Sequence, residues 1–285
     1  MSDFNCTVAE LFVHPIKSCA GIAMSQALLV ETGLDLDRAW MVVDADGQML
    51  TQRQWPRLAL VRTQLRHSDL LLRAPGMLSL HLALDAVEAA GHATVWGDRV
   101  KAYDMGTIAR QWFSDFLGRP GTRLVRFDPE QRRLSDAQWS GAIEAENGFA
   151  DGFPLLVAST ASLAELNRRL ALAGDSPVTM QRFRPNLVLD GLAQAHDEDF
   201  IDVLDIATND GPVQLKLVKP CGRCSIPDVD PESAETGSAV ARALATYRID
   251  ARLGGEVTFG MNAVIVSGFG HTLRRGAAAS GRLSA

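Results

Sequence analysis

The strongest constraint on this fold is a series of short, β-branched or apolar runs, each closed by a turn signal, across the first hundred residues. "CTVAELFVHPIK" (6–17) is rich in strand-forming side chains. "RAWMVVDADGQML" (38–50) reads as a hairpin turning at Asp46-Gly47, and "ATVWGDRVKAYDMG" (93–106) as another turning at Gly97-Asp98. "LVRTQLRHSDLLLRAPG" (60–76) supplies two more strands around His67-Ser68-Asp69. Turns at this spacing predict a sandwich or barrel. The pattern changes at Thr107, where "TIARQWFSDFLG" places Ile108, Trp112, Phe113 and Phe116 at helical spacing before a Gly118 stop. A polar, turn-rich stretch at 128–148 marks a boundary region. Beyond it, "FPLLVAST" reads as a buried strand, and Ser159 or Thr160 caps a helix with Leu163, Leu166 and Leu170 on one face. Strands follow in "QRFRPNLVLDG", "DVLDIATN", "PVQLKLVKP" and "EVTFGMNAVIVSGFGHTLRRG", with a short helix in "SAVARALATYRIDA" and a frayed tail in "AAASGRLSA". The expected class is mainly β with some α.

Composition narrows the function. With 285 residues, 47% of them apolar, the chain can bury a sizeable core in one large or two medium domains. A net charge of −6 gives no support for nucleic-acid binding, so any anion site must rest on a few placed cations. Four cysteines do not make a disulfide framework in a chain this long. The N-terminus carries no secretory pattern, and no apolar run reaches about 18 residues, so no membrane span is expected. The expected location is a reducing cytoplasm.

"VKPCGRCSIPDVDP" (218–231) places Cys221 and Cys224 in a C-x-x-C pair. A zinc site needs a second pair, and Cys6 and Cys19 do not form one. A redox dithiol favours a helix after the motif, which Pro227 and Pro231 oppose. Two inert thiols in a turn are a third reading. A fourth is one thiolate on a soft or high-valent metal, favoured by Lys219 and Arg223 and completed by a cofactor's own ligands. If that cofactor is anionic, the chain offers cations for it. Lys17 and Ser18 end the first strand. Arg38 opens another, as do Arg184 and Asn186, and Arg53 and Arg57 lie in "TQRQWPR". Arginine's planar fork suits phosphate.

Together these motifs resemble a known family. "HPIKSC", "LDLDRAWMVVDADGQMLTQRQWPRL", "ADGFPLLVASTASLAELN", "FRPNLVL", "KPCGRCSIPDVDPESAETG" with "ALATYR", and "FGMNAVI" look like the MOSC-domain proteins with an associated N-terminal β-barrel domain. Within these, the match is to the amidoxime-reducing-component branch and its bacterial relatives. The resemblance implies a MOSC-associated N-terminal β-barrel-like domain over 1–120, a MOSC β-barrel domain with a few flanking helices over 121–277, and a flexible tail over 278–285. It implies a molybdenum–molybdopterin cofactor at the interdomain face, with Cys224 as the molybdenum ligand and Cys221 as a neighbour. Lys17, Ser18, Arg38, Arg184 and Asn186 match the residues that hold the pterin and its phosphate. Gly222 and Arg223 match further cofactor contacts. Gly152 and Phe153 fall where some relatives have Thr-Ser, so only their backbone N–H groups could reach phosphate. Pro227-Asp228 stands where the family usually has two threonines, which makes Asp228 a candidate for positioning substrate or relaying protons beside an acidic-turn reading.

The expected function is molybdenum-dependent reduction of small N-hydroxylated compounds, such as amidoximes, hydroxylamines and N-hydroxylated bases. Electrons come from a separate reductase or small redox protein. No cysteine follows the motif, so no iron–sulfur cluster is expected, and few lysines offer themselves to pyridoxal phosphate. The rival is a molybdenum-cofactor carrier or sulfur-handling protein in which Cys224 carries persulfide. A binding-only barrel is the third reading.

Overall fold

The computed structural model describes residues 2–284. The first half runs through strands β1 (Phe4–Val13), β2 (Ile22–Met24), β3 (Gln26–Val30), β4 (Gly33–Leu34), β5 (Trp40–Val43), β6 (Arg62–Leu65), β7 (Asp69–Arg73), β8 (Leu80–Ala83), β9 (Ala89–Val95) and β10 (Asp98–Asp104). Helix α1 (Thr107–Leu117) and strand β11 (Arg123–Phe127) complete it. The second half comprises α2 (Ala137–Ser140), β12 (Leu155–Ser159), α3 (Thr160–Leu172), β13 (Leu187–Asp190), β14 (Ile201–Ile206), β15 (Val213–Gly222), α4 (Ala239–Ala245), β16 (Ile249–Asp250), β17 (Glu256–Ser267), β18 (Thr272–Arg274) and β19 (Ala278–Leu283). No helix among the described residues is long and apolar enough to cross a membrane.

Seven strands close into a barrel. The hydrogen-bonded order is β12-β13-β1-β19-β14-β15-β17, and β17 pairs back onto β12. Only β12 and β13 run parallel; the other pairings are antiparallel. The interior is filled by Val8, Leu155, Leu187, Leu204, Leu215 and Ala263, with Leu29 and Leu34 of the β3–β4 hairpin among them. On the outside, α3 and α4 bury Leu166, Leu170 and Leu244 against Val188 and Phe259. Ser159 caps α3, its hydroxyl oxygen accepting from Ser162 N at 3.1 Å, as expected for a serine before an apolar-periodic run.

The N-terminal half is built differently, from a four-stranded sheet (β5-β11-β10-β9) and a three-stranded sheet (β6-β7-β8) packed with α1. The β9–β10 hairpin turns on Trp96 and Gly97, both at positive φ, as a two-residue connection requires. Its core joins Trp40, Leu58, Trp112, Phe113 and Phe116. Burying each such aromatic is worth about 2 kcal/mol.

Three expectations are corrected. Ile108 is not on the buried face of α1: it is 73% exposed, one residue inside the helix start, where the chain faces solvent. The tail is not frayed, because Ala278–Leu283 pairs with β1 on one side and β14 on the other as a barrel stave; Ala285 lies outside the described residues. The β9–β10 turn sits at Trp96-Gly97, one residue before the expected Gly97-Asp98; β1 itself pairs into the barrel of the second half.

Candidate functional site

A cavity of about 270 Å³ lies where the barrel meets the N-terminal half. Lys17, Ser18, Arg38, Gly152, Phe153, Arg184, Asn186, Gly222, Arg223 and Cys224, ten of the residues singled out from sequence, all line it. Segments more than two hundred residues apart converge there because β1, β13, β15 and β17 are neighbours or near neighbours in the closed barrel, and their flanking loops share its rim.

The rim is conformationally strained. Ser18, Arg38, Trp96 and Arg184 hold positive φ angles of 67°, 49°, 53° and 57°, and all four line the cavity. A side chain in this region costs on the order of 1–3 kcal/mol and persists only where its surroundings dictate it. The surroundings here are visible. Arg38 N donates to His14 O at 2.8 Å, and Asp37 accepts from both His14 N (2.7 Å) and Arg38 Nη1 (2.5 Å). Arg38 Nη2 donates to Arg184 O at 2.9 Å, tying the two strained arginines together.

Several polar groups on the wall are already engaged. Asn186 Oδ1 accepts from Leu156 N (3.1 Å) and Arg38 Nη1 (3.2 Å), and its Nδ2 donates to Phe12 O at 3.3 Å. Its side chain therefore locks β1, β12 and Arg38 together, a positioning role. Arg223 donates to Phe259 O and Phe183 O and stacks on the Phe183 ring. Lys17 Nζ, almost fully buried, donates to Phe149 O (2.7 Å) and pairs with Asp151 (2.5 Å). Burial pushes the Lys17 ammonium down in pKa against the pull of Asp151. The Asp151 side chain is largely exposed at the cavity mouth, and Lys17 and then the Trp96 indole N–H hold its carboxyl well below the usual carboxylate range.

Other groups are free. Arg184 Nη1 donates to Cys19 O, but its buried Nη2 has no partner. Burial, then the neighbouring charge of Arg38, pushes this guanidinium down to about 10. Lys219 Nζ has no ion pair or hydrogen bond among the described residues and sits over the Trp139 ring at 5.2 Å. The Cys224 thiol is exposed, whereas burial raises the pKa of Cys221 despite Arg223. Among the described residues no three His, Cys, Asp or Glu side chains are grouped to hold a metal. A metal here would find at most the two thiols of Cys221 and Cys224 and would have to bring its remaining ligands with it.

Asp228 is the sequence candidate that the structure does not bring to the cavity. It is buried, and its Oδ1 accepts from Val240 N (2.9 Å) and Ala241 N (3.3 Å), capping α4 from ten residues upstream. Its neighbour Pro227 does line the cavity, with Ile226. Gly152 lies on the rim with open space around it, and Phe153 forms a buried wall. Arg53 stacks on Trp96 at 4.3 Å, while Arg57 turns away onto Phe116. Sequence reasoning missed Thr51, Trp96, Asp151, Arg182, Glu256 and Asn262, which also line the cavity. All six lie inside stretches quoted above, such as Thr51 in "TQRQWPR", Asp151 in "ADGFPLLVASTASLAELN" and Asn262 in "FGMNAVI", but no local signal set them apart from their neighbours.

Residues 5–120 match the family model for the MOSC N-terminal β-barrel domain, and residues 144–276 match that for the MOSC domain. The chain is 35% identical over 237 residues to the mitochondrial amidoxime reducing component 2 of Rattus norvegicus, covering 80% of this chain and 68% of the relative. This chain is a MOSC-domain protein. As such it is also 35% identical to the mitochondrial amidoxime-reducing component 1 of Mus musculus, with 80% and 66% covered. The molybdenum cofactor sulfurase of Danio rerio is 31% identical over 273 residues, 90% of this chain but 32% of that protein. The MOSC chain thus spans about two thirds of the amidoxime-reducing relatives and about a third of the sulfurase. In the MOSC fold described above, the two matched segments meet at the cavity.

Proposed function

We propose that this cavity holds a molybdenum–molybdopterin cofactor and that the protein reduces small N-hydroxylated molecules with electrons from a separate donor protein. The observation that carries the reading is the pairing, in one cavity, of an exposed thiol, Cys224, with a buried guanidinium nitrogen, Arg184 Nη2, that lacks a partner. A soft thiolate suits the metal, and an unpaired guanidinium N–H suits a phosphate or pterin oxygen. The residues present therefore fit the group. The names of the relatives, two of them amidoxime-reducing components, support the reaction type.

In this reading Cys224 holds the metal, and Arg184, Ser18 and Lys219 take the anionic and polar edges of the pterin. Arg38, Asn186 and Arg223 act by fixing the rim, since their side chains are bonded to main-chain oxygens or to one another. When bound, the cofactor supplies two-electron redox chemistry. The net change adds two electrons and two protons to an N–OH group, leaving N–H and water. Phe153, Ile226 and Pro227 form apolar wall near the thiol, limiting water around the reacting bond. No thiolate-held iron–sulfur cluster belongs to this proposal, because Cys6 and Cys19 are buried in two different cores.

Cofactor-loaded protein, given a reduced donor and benzamidoxime, should form benzamidine in proportion to its molybdenum content. Loaded protein that forms none under these conditions sinks the proposal. A second reading, sulfur transfer through a Cys224 persulfide, draws on the exposed thiol and on the long match to the sulfurase. It predicts a cyanolysable sulfur on purified protein with little bound metal.

A further inference from the structure

The cavity is lined by six cationic side chains (Lys17, Arg38, Arg182, Arg184, Lys219 and Arg223) and by two carboxylates, Asp151 and Glu256. The two carboxylates differ. Asp151 is bonded to Lys17 and to the Trp96 indole. Glu256 has no ion pair and no side-chain hydrogen bond among the described residues, although a lysine and several arginines line the same cavity. It is the first residue of β17, and its side chain lies over Gly222, two residues before Cys224. A methyl group added at Gly222 would overlap Glu256 Oε2 and approach Leu253 Cδ1 at 3.7 Å. The glycine thus makes room for the carboxylate on a wall of the cavity that Cys224 also lines. Glu256 is exposed, which lets a ligand reach it.

We infer that Glu256 is a specificity-determining residue that recognises positive charge on the substrate or product. The inference rests on the reductase reading above and names the substrates that this chain favours. The chemistry gives the reason. An amidoxime is neutral near pH 7, whereas the amidine formed from it takes up a proton. The balanced change is R–C(NH2)=N–OH plus two electrons and three protons, giving the amidinium R–C(NH2)2⁺ and water. Positive charge therefore develops on the reacting group. An unpaired carboxylate on the wall of the same cavity stabilises that charge as it forms and presents two oxygens to the two amidinium nitrogens. Substrates whose products stay neutral, such as hydroxamic acids, gain nothing from it. The cationic wall repels a cation elsewhere in the cavity, so Glu256 also sets which end of the molecule enters first.

The test uses cofactor-loaded protein and two probes of one shape, benzamidinium and neutral benzamide, with affinities read by calorimetry. Wild type should bind benzamidinium about two- to fivefold more tightly than benzamide, the range of a partly solvated ion pair. The preference should vanish in Glu256→Gln and survive in part in Glu256→Asp. In turnover, Glu256→Gln should lower kcat/KM for benzamidoxime but not for benzohydroxamic acid, with molybdenum and pterin content unchanged. Equal preference in wild type and Glu256→Gln, or no preference in wild type, overturns the assignment. Failure of the reductase reading is a different result, loaded wild type binding the probes but forming no benzamidine.

Discussion

The barrel and the N-terminal half reach the same cavity by different means. In the barrel every one of seven strands is paired on both sides, and wall residues such as Asn186 and Arg223 are bonded into the frame while Cys224 and Arg184 Nη2 are left free. The N-terminal half is made of open sheets, and it reaches the cavity through loops: Lys17 and Ser18 after β1, Arg38 before β5, Thr51, and Trp96 in a hairpin turn. Closure removes strand edges and fixes rim positions. Loops can then place strained residues against a rigid partner, which is where three of the four positive-φ wall residues lie. Bonded side chains of both regions, such as Asn186 and Lys17, hold the site's shape, and the groups left free to bind, Cys224, Arg184 Nη2, Lys219 and Glu256, come from the barrel half.

That contrast can be broken at four places, in decreasing order of effect. Cys224→Ser alters a free, exposed group. It should cost more than about a hundredfold in N-reduction, beyond what losing a ligand's outer hydrogen-bond partner costs, while the urea midpoint stays unchanged. Asn186→Ala alters the frame. Leu156 N and Phe12 O lose their side-chain partner, so unfolding in urea should show a loss of about 2–4 kcal/mol. Asp228→Ala should cost about 1 kcal/mol through the α4 cap, with kcat/KM for benzamidoxime within twofold of wild type on the order expected of a residue outside the cavity. A large activity loss with unchanged stability would return Asp228 to the chemistry.

The smallest effect is in pH. Burial, then the charge of Arg248, holds the His196 imidazole down to about 3, and both its ring nitrogens are buried without partners. The unfolded imidazole takes a proton near the ordinary value of 6.5, and the folded one does not until about 3. The unfolded state therefore binds more protons in that window, and stability should fall as pH drops from about 6.5 towards 3. His14, buried beside Arg38 and Arg184, shifts in the same direction. Denaturant titrations at several pH values should show a shallower acid slope for His196→Gln than for wild type.

Much of this was legible in the sequence. The strands announced themselves through turn residues, such as the Gly97 connection of β9 to β10, and through Ser159 at the head of α3. Several of the site's cations were legible because they sit at strand ends, some of them near a Pro, as in "HPIK" and "FRPN". What stayed hidden depended on long-range pairing. The last strand has an unremarkable composition, "AASGRL", and is ordered because two neighbours supply its hydrogen bonds. Asp228 lies four residues beyond Cys224 in the chain, yet closeness in sequence does not bring its carboxylate into the cavity. Its backbone turns in a short 3-10 segment and sends the carboxylate to α4 instead. Glu256 lies 32 positions beyond Cys224 in sequence, and only the β15–β17 pairing, with Gly222 opposite Thr258, brings it to the thiol's side of the cavity.

The central claim is that Cys224 alone, of the chain's side chains, binds the metal of a pterin cofactor. It is tested most directly on protein made in a host that synthesises the cofactor, by counting molybdenum, releasable pterin and metal-bound sulfur in wild type and Cys224→Ser. The account predicts near-stoichiometric molybdenum and pterin in wild type, and one fewer sulfur around the metal in the variant with pterin retained by the cationic wall. An unchanged sulfur count in Cys224→Ser, or wild-type protein that takes up neither metal nor pterin, contradicts it.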